Sequence, residues 1–251
     1  MTTETNSSMT ELASSLERIV PDHIEENSTT GLQTLHLHQA RYTFAAKHIQ
    51  SGRILDMASG TGYGSEILLR QSQADITEII GVDICSDAVA YAKKRYAHPS
   101  VTFLNQDIDT FTDHDKFQNI VSLETIEHLP HPEHFVQKLF GLLKPGGILI
   151  CSAPTTPSVD VNPYHLNDFT EHSFRHLFQS QGLIEVDCLR QIQPYSLGAV
   201  RNKSETRMKD LRSNLLGYYL THPHRAFKRL WSTVRYGFTN RYLTLACQKP
   251  V

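Results

Sequence analysis

A glycine-rich turn directly after a short strand pattern most constrains what this chain can fold into. Residues 56–64 read DMASGTGYG; they follow the run RIL at 53–55 and precede a helical pattern that begins at Ser65. Glycines at alternate positions let the backbone turn sharply and approach a ligand without a Cβ in the way. The pattern therefore predicts a strand, a ligand-binding turn and a helix in succession.

The spacing of this turn indicates which kind of ligand it binds. Gly60, Gly62 and Gly64 form G-x-G-x-G, whereas a dinucleotide-binding turn has G-x-G-x-x-G. Asp56 precedes the turn, at the end of the predicted strand. A carboxylate is acceptable there when no pyrophosphate has to be bound, and it can hydrogen-bond an ammonium group. These features favour S-adenosylmethionine as the ligand.

Acidic residues also follow the next two predicted strands. IIGVD at 79–83 ends in Asp83, about twenty residues after the turn, which is where nucleotide-binding α/β folds hold a ribose diol. VTFL at 101–104 leads to Asp107, where an adenine amino group could be recognised. Ligands of open α/β sheets bind outside the carboxyl ends of the strands, and these acids are expected there.

Strand and helix patterns alternate from 53 to 190, which is typical of an α/β fold. We expect a doubly wound, mostly parallel, seven-stranded sheet with helices on both faces and a helical insertion before the last strand. The predicted strands are 53–57, 77–83, 101–104, 118–123, 147–152, 183–190 and 240–249. The predicted helices are 62–72, 86–97, 132–142 and 171–180, with an amphipathic helix at 35–44 ahead of the first strand.

The order of these motifs resembles that of the class I S-adenosylmethionine-dependent methyltransferases, over roughly residues 33–190. The resemblance implies a Rossmann-like methyltransferase fold with an antiparallel last strand. Ala58 departs from the family, which often has glycine there, although alanine is small enough. Arg41 matches an arginine near the cofactor of the ubiquinone enzymes and could pair with the methionine carboxylate; a surface arginine is the alternative. The implied cofactor-binding residues are Arg41, Asp56, Ala58, Gly60, Gly62, Asp83, Ile84, Asp107, Ile108 and Leu123.

Two carboxylates and an imidazole follow the fourth predicted strand, in LETIEHL at 123–129. Such side chains can converge on one divalent cation. The pattern E-x-x-E-H resembles the ubiquinone-biosynthesis O-methyltransferases and the small-RNA 3′-terminal 2′-O-methyltransferases. That resemblance implies a divalent metal, Mg²⁺ or Mn²⁺ with Zn²⁺ as a further option, and the RNA family adds a later histidine that HLNDFT at 165–170 matches. The implied metal ligands are Glu124, Glu127, His128 and His165.

A metal-free interpretation stays open for the same segment. An acid followed by histidine after the fourth strand is also widespread among metal-free class I methyltransferases. There, His128 would serve as a general base. Glu127 and His128 are therefore the candidate catalytic residues.

Composition excludes several classes of protein. The 251 residues are 39% hydrophobic and 20% charged, with a pI near 6.7, as expected for a globular α/β domain. No apolar run is long enough for a transmembrane helix, and the polar N-terminus does not resemble a secretory signal. The four cysteines lack the paired spacing of a metal site. These features predict a cytoplasmic protein with free thiols.

The charge is distributed unevenly. Residues 198–241 contain ten Lys or Arg and two acids, for a net charge of +8, although the whole chain is at −2. A basic face indicates an anionic substrate, a nucleic acid or a membrane surface, and a solvated face packed beside the acidic domain is the alternative. We divide the chain into a polar N-terminal extension at 1–32, a cofactor-binding domain at 33–190 plus 240–251, and a basic, aromatic-containing cap at 191–239.

The motifs together predict an S-adenosylmethionine-dependent O-methyltransferase. Its expected acceptor is a diol-bearing sugar or small molecule, which could be anionic, with a divalent metal assisting. The 2′-O-methyltransferase of RNA 3′ ends is the second interpretation, although the pI near 6.7 is low for an RNA-binding protein. The glycine spacing and Asp107 disfavour an NAD-dependent oxidoreductase. The intact motifs disfavour a non-catalytic cofactor-binding subunit.

Overall fold

A computed structural model of the chain describes residues 19–24, 29–194, 212 and 214–251. Within these residues the strands form one sheet in the order β3-β2-β1-β4-β5-β7-β6. The strands are β1 (Gly52–Met57), β2 (Ile76–Asp83), β3 (Val101–Asn105), β4 (Phe117–Leu123), β5 (Leu143–Pro154), β6 (Ile184–Pro194) and β7 (Thr239–Gln248). The α-helices are α1 (Thr29–His48), α2 (Tyr63–Gln71), α3 (Ser86–Arg95), α4 (Pro132–Leu142), α5 (Glu171–Gln179), α6 (Leu215–Thr221) and α7 (Pro223–Tyr236).

The strand pairing confirms the predicted doubly wound sheet. The pairs β1–β2, β2–β3, β1–β4 and β4–β5 are parallel, whereas β7 is inserted antiparallel between β5 and β6. In this register Asp56 of β1 lies beside Gly81 of β2 and Val121 of β4. The carboxyl ends of β1, β2 and β4 therefore meet at the middle of one edge of the sheet, where the strand order reverses.

The core lies on both faces of the sheet because its central strands are apolar along their length. Consecutive side chains of a strand point to opposite faces. Leu55 and Met57 accordingly belong to the apolar cluster that includes residues of α4 and α5, and Ile54 belongs to the cluster that includes residues of α1 and α2. All three are fully buried. Each central strand thus reads as a continuous hydrophobic run.

Two predicted strand boundaries differ from the structure by four residues, whereas the other strand boundaries agree to within two residues. The sixth strand extends to Pro194, which pairs with Thr239, so the first four residues of the predicted cap belong to the sheet. The fifth strand begins at Leu143, four residues before its predicted start at 147, because the KPGG segment continues the strand. Residues 144–147 form an irregularity in the pairing with β4, because Leu143 pairs with Phe117 and Ile148 with Asn119, and Gly146 has a φ of 73°.

The rest of the predicted cap is helical where the structure describes it, in α6 and α7. The remainder, 195–211 and 213, lies outside the described residues, as do 1–18 and 25–28 of the predicted N-terminal extension. The predicted helix at 35–44 is the middle of the longer α1. Among the described residues no helix is both long enough and apolar enough to cross a bilayer.

The turn after β1 has a left-handed backbone at three positions. The φ angles of Ala58, Gly60 and Gly62 are 63°, 56° and 85°. Glycine adopts this conformation without penalty, whereas in any other residue the Cβ approaches the following carbonyl oxygen. At Ala58 the backbone conformation, rather than the size of the side chain, therefore determines the cost of a residue other than glycine.

We expect Ala58→Gly to raise the free energy of unfolding by about 1 kcal/mol, because it relieves this strain. Glycine also increases the entropy of the unfolded chain, which reduces the gain. Chemical denaturation of the wild type and the variant measures the difference. Gly60→Ala, which introduces the same strain two residues later, should lower the stability. A variant Ala58→Gly that is less stable than the wild type would contradict the account.

Candidate active site

Asp83, at the end of β2, holds the glycine turn in shape. Its carboxylate accepts hydrogen bonds from the backbone N–H of Gly60 at 2.8 Å and of Cys85 at 2.9 Å. A Cβ added to Gly60 would meet no atom within 4 Å, whereas one added to Gly62 would lie 2.7 Å from the Cβ of Ala92. Gly62 therefore packs against α3, while Gly60 faces open space beside Asp83. This space is the cradle expected for a nucleoside ligand.

Asp56 is wholly buried at the end of β1. Its two carboxylate oxygens accept hydrogen bonds from the Tyr42 hydroxyl at 3.2 Å and the Ser65 hydroxyl at 2.6 Å. Burial raises the pKa of the Asp56 carboxyl to about 6, and the two hydrogen bonds only partly oppose this effect. Asp56 thus joins α1 to the start of α2, and its predicted contact with an ammonium group stays a prediction.

Four more of the predicted cofactor residues lie around this edge. The side chain of Ile84, directly after Asp83, is 64% exposed, which suits an apolar surface for a base to pack on. Asp107 is exposed after β3, and one of its oxygens accepts from the Asp109 N–H at 2.7 Å. Ile108 is half-buried against the core, and Leu123 is buried at the end of β4.

Arg41 is 1% exposed, so the interpretation of it as a surface arginine is wrong. Its Nε donates to Gln191 at 2.8 Å, its guanidinium lies over the Tyr242 ring at 4.3 Å, and its Nη1 lies 3.6 Å from the Glu124 carboxylate. That Nη1 is buried and makes no hydrogen bond within the described part of the chain. A buried donor without an acceptor suits a carboxylate-bearing ligand.

Glu124 is directed towards Arg41 and away from the other predicted metal ligands. Its second carboxylate oxygen accepts from the Ser152 hydroxyl at 2.8 Å, and its backbone N–H donates to the same hydroxyl at 3.0 Å. Its φ of 51° is one of two positive values among the described non-glycine residues. Strain of this kind is concentrated at functional sites. The structure therefore separates Glu124 from the E-H pair that follows it.

The structure brings the other three predicted metal ligands together. One ligand atom from each of Glu127, His128 and His165 lies within 4.8 Å of the other two. The two imidazole rings pack edge to face with centroids 4.7 Å apart. Glu127 is buried, and both histidines are half-buried. Because His165 comes from the loop after β5, only folding creates this group.

Hydrogen bonds hold that loop against the segment after β4. The backbone carbonyl of Glu127 accepts from the N–H of Leu166 at 2.8 Å and of Asn167 at 3.1 Å. Nδ1 of His128 lies 3.1 Å from the carbonyl oxygen of Tyr164. A carbonyl can only accept, so Nδ1 carries the proton and a neutral His128 has its lone pair on Nε2.

Sequence reasoning missed two buried acids, Asp160 and Asp168, which attach α7 to the loop that carries His165. Asp160 accepts from Arg229 at 2.6 and 2.8 Å, and Asp168 accepts from Arg225 and from Lys228 at 3.1 Å. Burial tends to raise the pKa of both carboxyls, but their hydrogen bonds and cations outweigh it and hold both below the ordinary value. The excess of arginine and lysine in the predicted cap was the available signal.

Known proteins resemble this chain in both sequence and structure. The family described as methyltransferase domain matches residues 33–187. A probable S-adenosylmethionine-dependent methyltransferase of Mycolicibacterium smegmatis is 27% identical over 69% of this chain and 66% of its own length. A ubiquinone biosynthesis O-methyltransferase of Glaesserella parasuis is 29% identical over 40% of this chain and 44% of its own length. The N-methyltransferase NodS of Bradyrhizobium japonicum, solved with S-adenosyl-L-homocysteine, has a TM-score of 0.56 at 14% identity, over 98% of this chain and 99% of that chain.

The chain belongs to the methyltransferase domain family. The matched region contains the glycine turn, Asp83, Asp107 and the E-x-x-E-H segment, so the sequence-based interpretation as a class I S-adenosylmethionine-dependent methyltransferase domain is confirmed. The chain spans about two thirds or less of the length of these two relatives. The low identity to NodS establishes a shared fold only.

The raised pKa of Asp56 predicts a specific pH dependence of stability. The native state keeps a proton that the unfolded state releases between pH 3.8 and about 6, so stability falls as the pH rises through that window. Two pKa units correspond to roughly 3 kcal/mol. Asp56→Asn should remove this loss, so denaturation midpoints of the two proteins should diverge between pH 4 and 6. Parallel pH profiles would contradict the assignment.

The position of Asp83 beside the glycine turn predicts that its mutation lowers cofactor affinity. Asp83→Ala should lower the affinity for S-adenosylhomocysteine by 1.5–3 kcal/mol, roughly 10- to 100-fold, because it removes a charged acceptor and the support of the Gly60 N–H. Calorimetry measures the change. Asp87→Ala, at an exposed acid in the first turn of α3, is the matched control and should bind as the wild type does. Equal affinity of the two variants would refute the role of Asp83.

Proposed function

We propose that the protein is an S-adenosylmethionine-dependent O-methyltransferase that acts on a hydroxyl of a diol-bearing sugar or small molecule with the help of a divalent metal. The observation that carries this proposal is the convergence of Glu127, His128 and His165 beside the carboxyl end of β4. S-adenosylmethionine supplies a methyl group already activated by its sulfonium. The protein has mainly to position the acceptor and remove its proton.

The three side chains fit a divalent metal. One carboxylate and two imidazoles are common ligands of Mn²⁺ and Zn²⁺, and they suit Mg²⁺ less well because it prefers oxygen ligands. The hydrogen bond from Nδ1 of His128 to the Tyr164 carbonyl has the form found behind metal-bound histidines, where it fixes the tautomer and the ring orientation. Nδ1 of His165 lies 2.7 Å from the Ser158 hydroxyl, which orients the second ring. A divalent ion held there would lower the pKa of a bound hydroxyl.

The separation of Glu124 changes the composition of the predicted site. With its carboxylate shared between Arg41 and Ser152, Glu124 supports the buried guanidinium rather than the two histidines. We assign the metal to Glu127, His128 and His165. Glu124 and Arg41 would then lie at the methionine end of the cofactor, where the Arg41 Nη1 is available for its carboxylate.

The relatives support transfer to oxygen. The Glaesserella parasuis protein is named for O-methylation in ubiquinone biosynthesis, and its similarity to this chain is in accord with a hydroxyl acceptor here. RNA 3′ ends are the second candidate acceptor, favoured by the approach of His165 to His128. Against RNA, Arg225, Lys228 and Arg229 are already paired with Asp160 and Asp168. A metal-free reaction with Nε2 of His128 as the base is the third candidate.

The metal proposal makes a graded prediction. Mn²⁺ or Zn²⁺ should raise the melting temperature of the wild type by mass action. His128→Ala and His165→Ala should each weaken metal binding by roughly 100-fold or more, because a lost ligand has at least the effect of a lost supporting hydrogen bond. Glu124→Gln should weaken metal binding far less and cofactor binding more. Thermal shift with metal titration and calorimetry measure the two affinities.

His172→Ala, at an exposed histidine of α5, is the matched control and should behave as the wild type does. Full methyl transfer by chelated protein, with no metal by elemental analysis, would reject the metal and leave His128 as the base. Equal loss of metal binding in Glu124→Gln and His165→Ala would instead restore the four-ligand arrangement.

A further inference from the structure

The helix α7 has a polar face on the protein and an apolar face in solvent. Arg225, Lys228 and Arg229 lie on the side that contacts Asp160 and Asp168. The opposite side carries large apolar residues at the spacing i, i+3, i+4 and i+7, which places them in one stripe. Between 60% and 75% of each residue is exposed, and they are Phe227, Leu230, Trp231 and Val234.

Exposed apolar residues of this size are unusual in such number. Contiguous exposed apolar residues of this kind mark an interaction surface on a soluble protein. The helix α6 packs against α7 and adds two exposed leucines. Leu216 is 74% exposed and Leu220 is 78% exposed. Phe238, two residues after the end of α7, is 54% exposed. We call Phe227, Leu230, Trp231 and Val234 the apolar stripe.

The charge around the apolar stripe is positive. No Asp or Glu occurs after Asp210, whereas Arg212, Arg235 and Arg241 follow it. Arg235 is exposed in the last turn of α7, beside Val234. The acids that α7 contacts, Asp160 and Asp168, are covered by its other face. The stripe therefore adjoins cationic groups and no acid from its own segment.

We propose that the apolar stripe inserts into the surface of a membrane that contains anionic phospholipid. A helix with Trp, Phe and Leu on one face and Lys and Arg on the other lies in the interface of a bilayer, with the apolar side chains below the headgroups. Here the protein itself occupies the polar face, so α7 forms a ridge whose apolar stripe points away from the domain. Arg235 meets the phosphates beside it.

A second copy of the chain fits the stripe less well. An isologous dimer places the same patch of each copy against the other. Such a dimer would bring the cations beside the stripe of both copies into one interface, and residues 211–251 contain no acid to pair with them. A lipid surface supplies both the apolar volume and the negative charge.

This proposal does not depend on the metal or on the acceptor. It does connect the surface with the site, because the polar face of α7 holds the loop that carries His165. An enzyme bound through the stripe would have α7 between the bilayer and the loop that carries His165.

The single tryptophan of the chain, Trp231, allows a direct test with the unmodified full-length protein. Vesicles of phosphatidylcholine with phosphatidylglycerol should shift its fluorescence emission to shorter wavelength and sediment the protein. Vesicles of phosphatidylcholine alone should do so more weakly, and Arg235→Gln should reduce the difference between the two vesicle types.

A double variant tests the stripe without removing the reporter. Phe227→Ser with Leu230→Ser should lower vesicle affinity by about ten-fold or more, because each side chain contributes to the buried apolar area. The matched control is Ile184→Ser with Ile192→Ser, which replaces two apolar residues of β6 that are 58% and 54% exposed. The control should bind vesicles as the wild type does, and S-adenosylhomocysteine binding confirms that both variants fold.

Three results would overturn the proposal. In the first, no vesicle changes the Trp231 emission. In the second, the emission is already at short wavelength without vesicles and light scattering finds a dimer that the stripe variant dissociates, which assigns the stripe to a second copy. In the third, the same emission comes from a monomer, which shows that the chain covers the stripe itself.

Discussion

Three acids, Asp56, Asp83 and Glu124, lie at the carboxyl edge of the sheet. The hydrogen-bond donors and cations around each carboxylate determine its role. Burying a carboxylate costs several kcal/mol unless hydrogen bonds or cations compensate. Asp56 is compensated by two hydroxyls and remains easy to protonate. Asp83 is compensated by backbone N–H groups and so fixes the glycine turn. Glu124 is compensated by Arg41 and Ser152, and it is thereby removed from the metal group.

The sequence was sufficient for the parts of the fold in which local pattern and tertiary context agree. The apolar strands, the glycine turn and the acid after each strand follow from periodicity and spacing, and the parallel sheet brings the acids to one edge. The extended sixth strand was not predicted, because its last residues have no strand pattern and gain their conformation from pairing with Thr239–Gln248. The spacing of the glycines predicted the turn, but only the backbone shows that Ala58 is left-handed.

The sequence predicted which residues lie near the candidate site but not the directions of their side chains. E-x-x-E-H together with a later histidine identified four residues, yet spacing cannot say in which direction a side chain points. Glu124 departs because its backbone is left-handed and because Arg41 is buried beside it. The burial of Arg41 depends on Gln191 and Tyr242, which lie at least 150 residues away along the chain. Contacts over such separations arise only from the fold.

The positive charge of the predicted cap has more than one structural explanation. The net positive charge left open an anionic partner or a solvated face packed beside the acidic domain, and part of that charge neutralises Asp160 and Asp168 inside the protein. Each of these acids also lies in the loop of His165, so the position of α7 and the position of the imidazole are mechanically linked. A helix that satisfies two buried carboxylates cannot rotate to hide its apolar stripe without leaving both of them unpaired. The exposure of Trp231 and its neighbours is therefore imposed by the ion pairs beneath them.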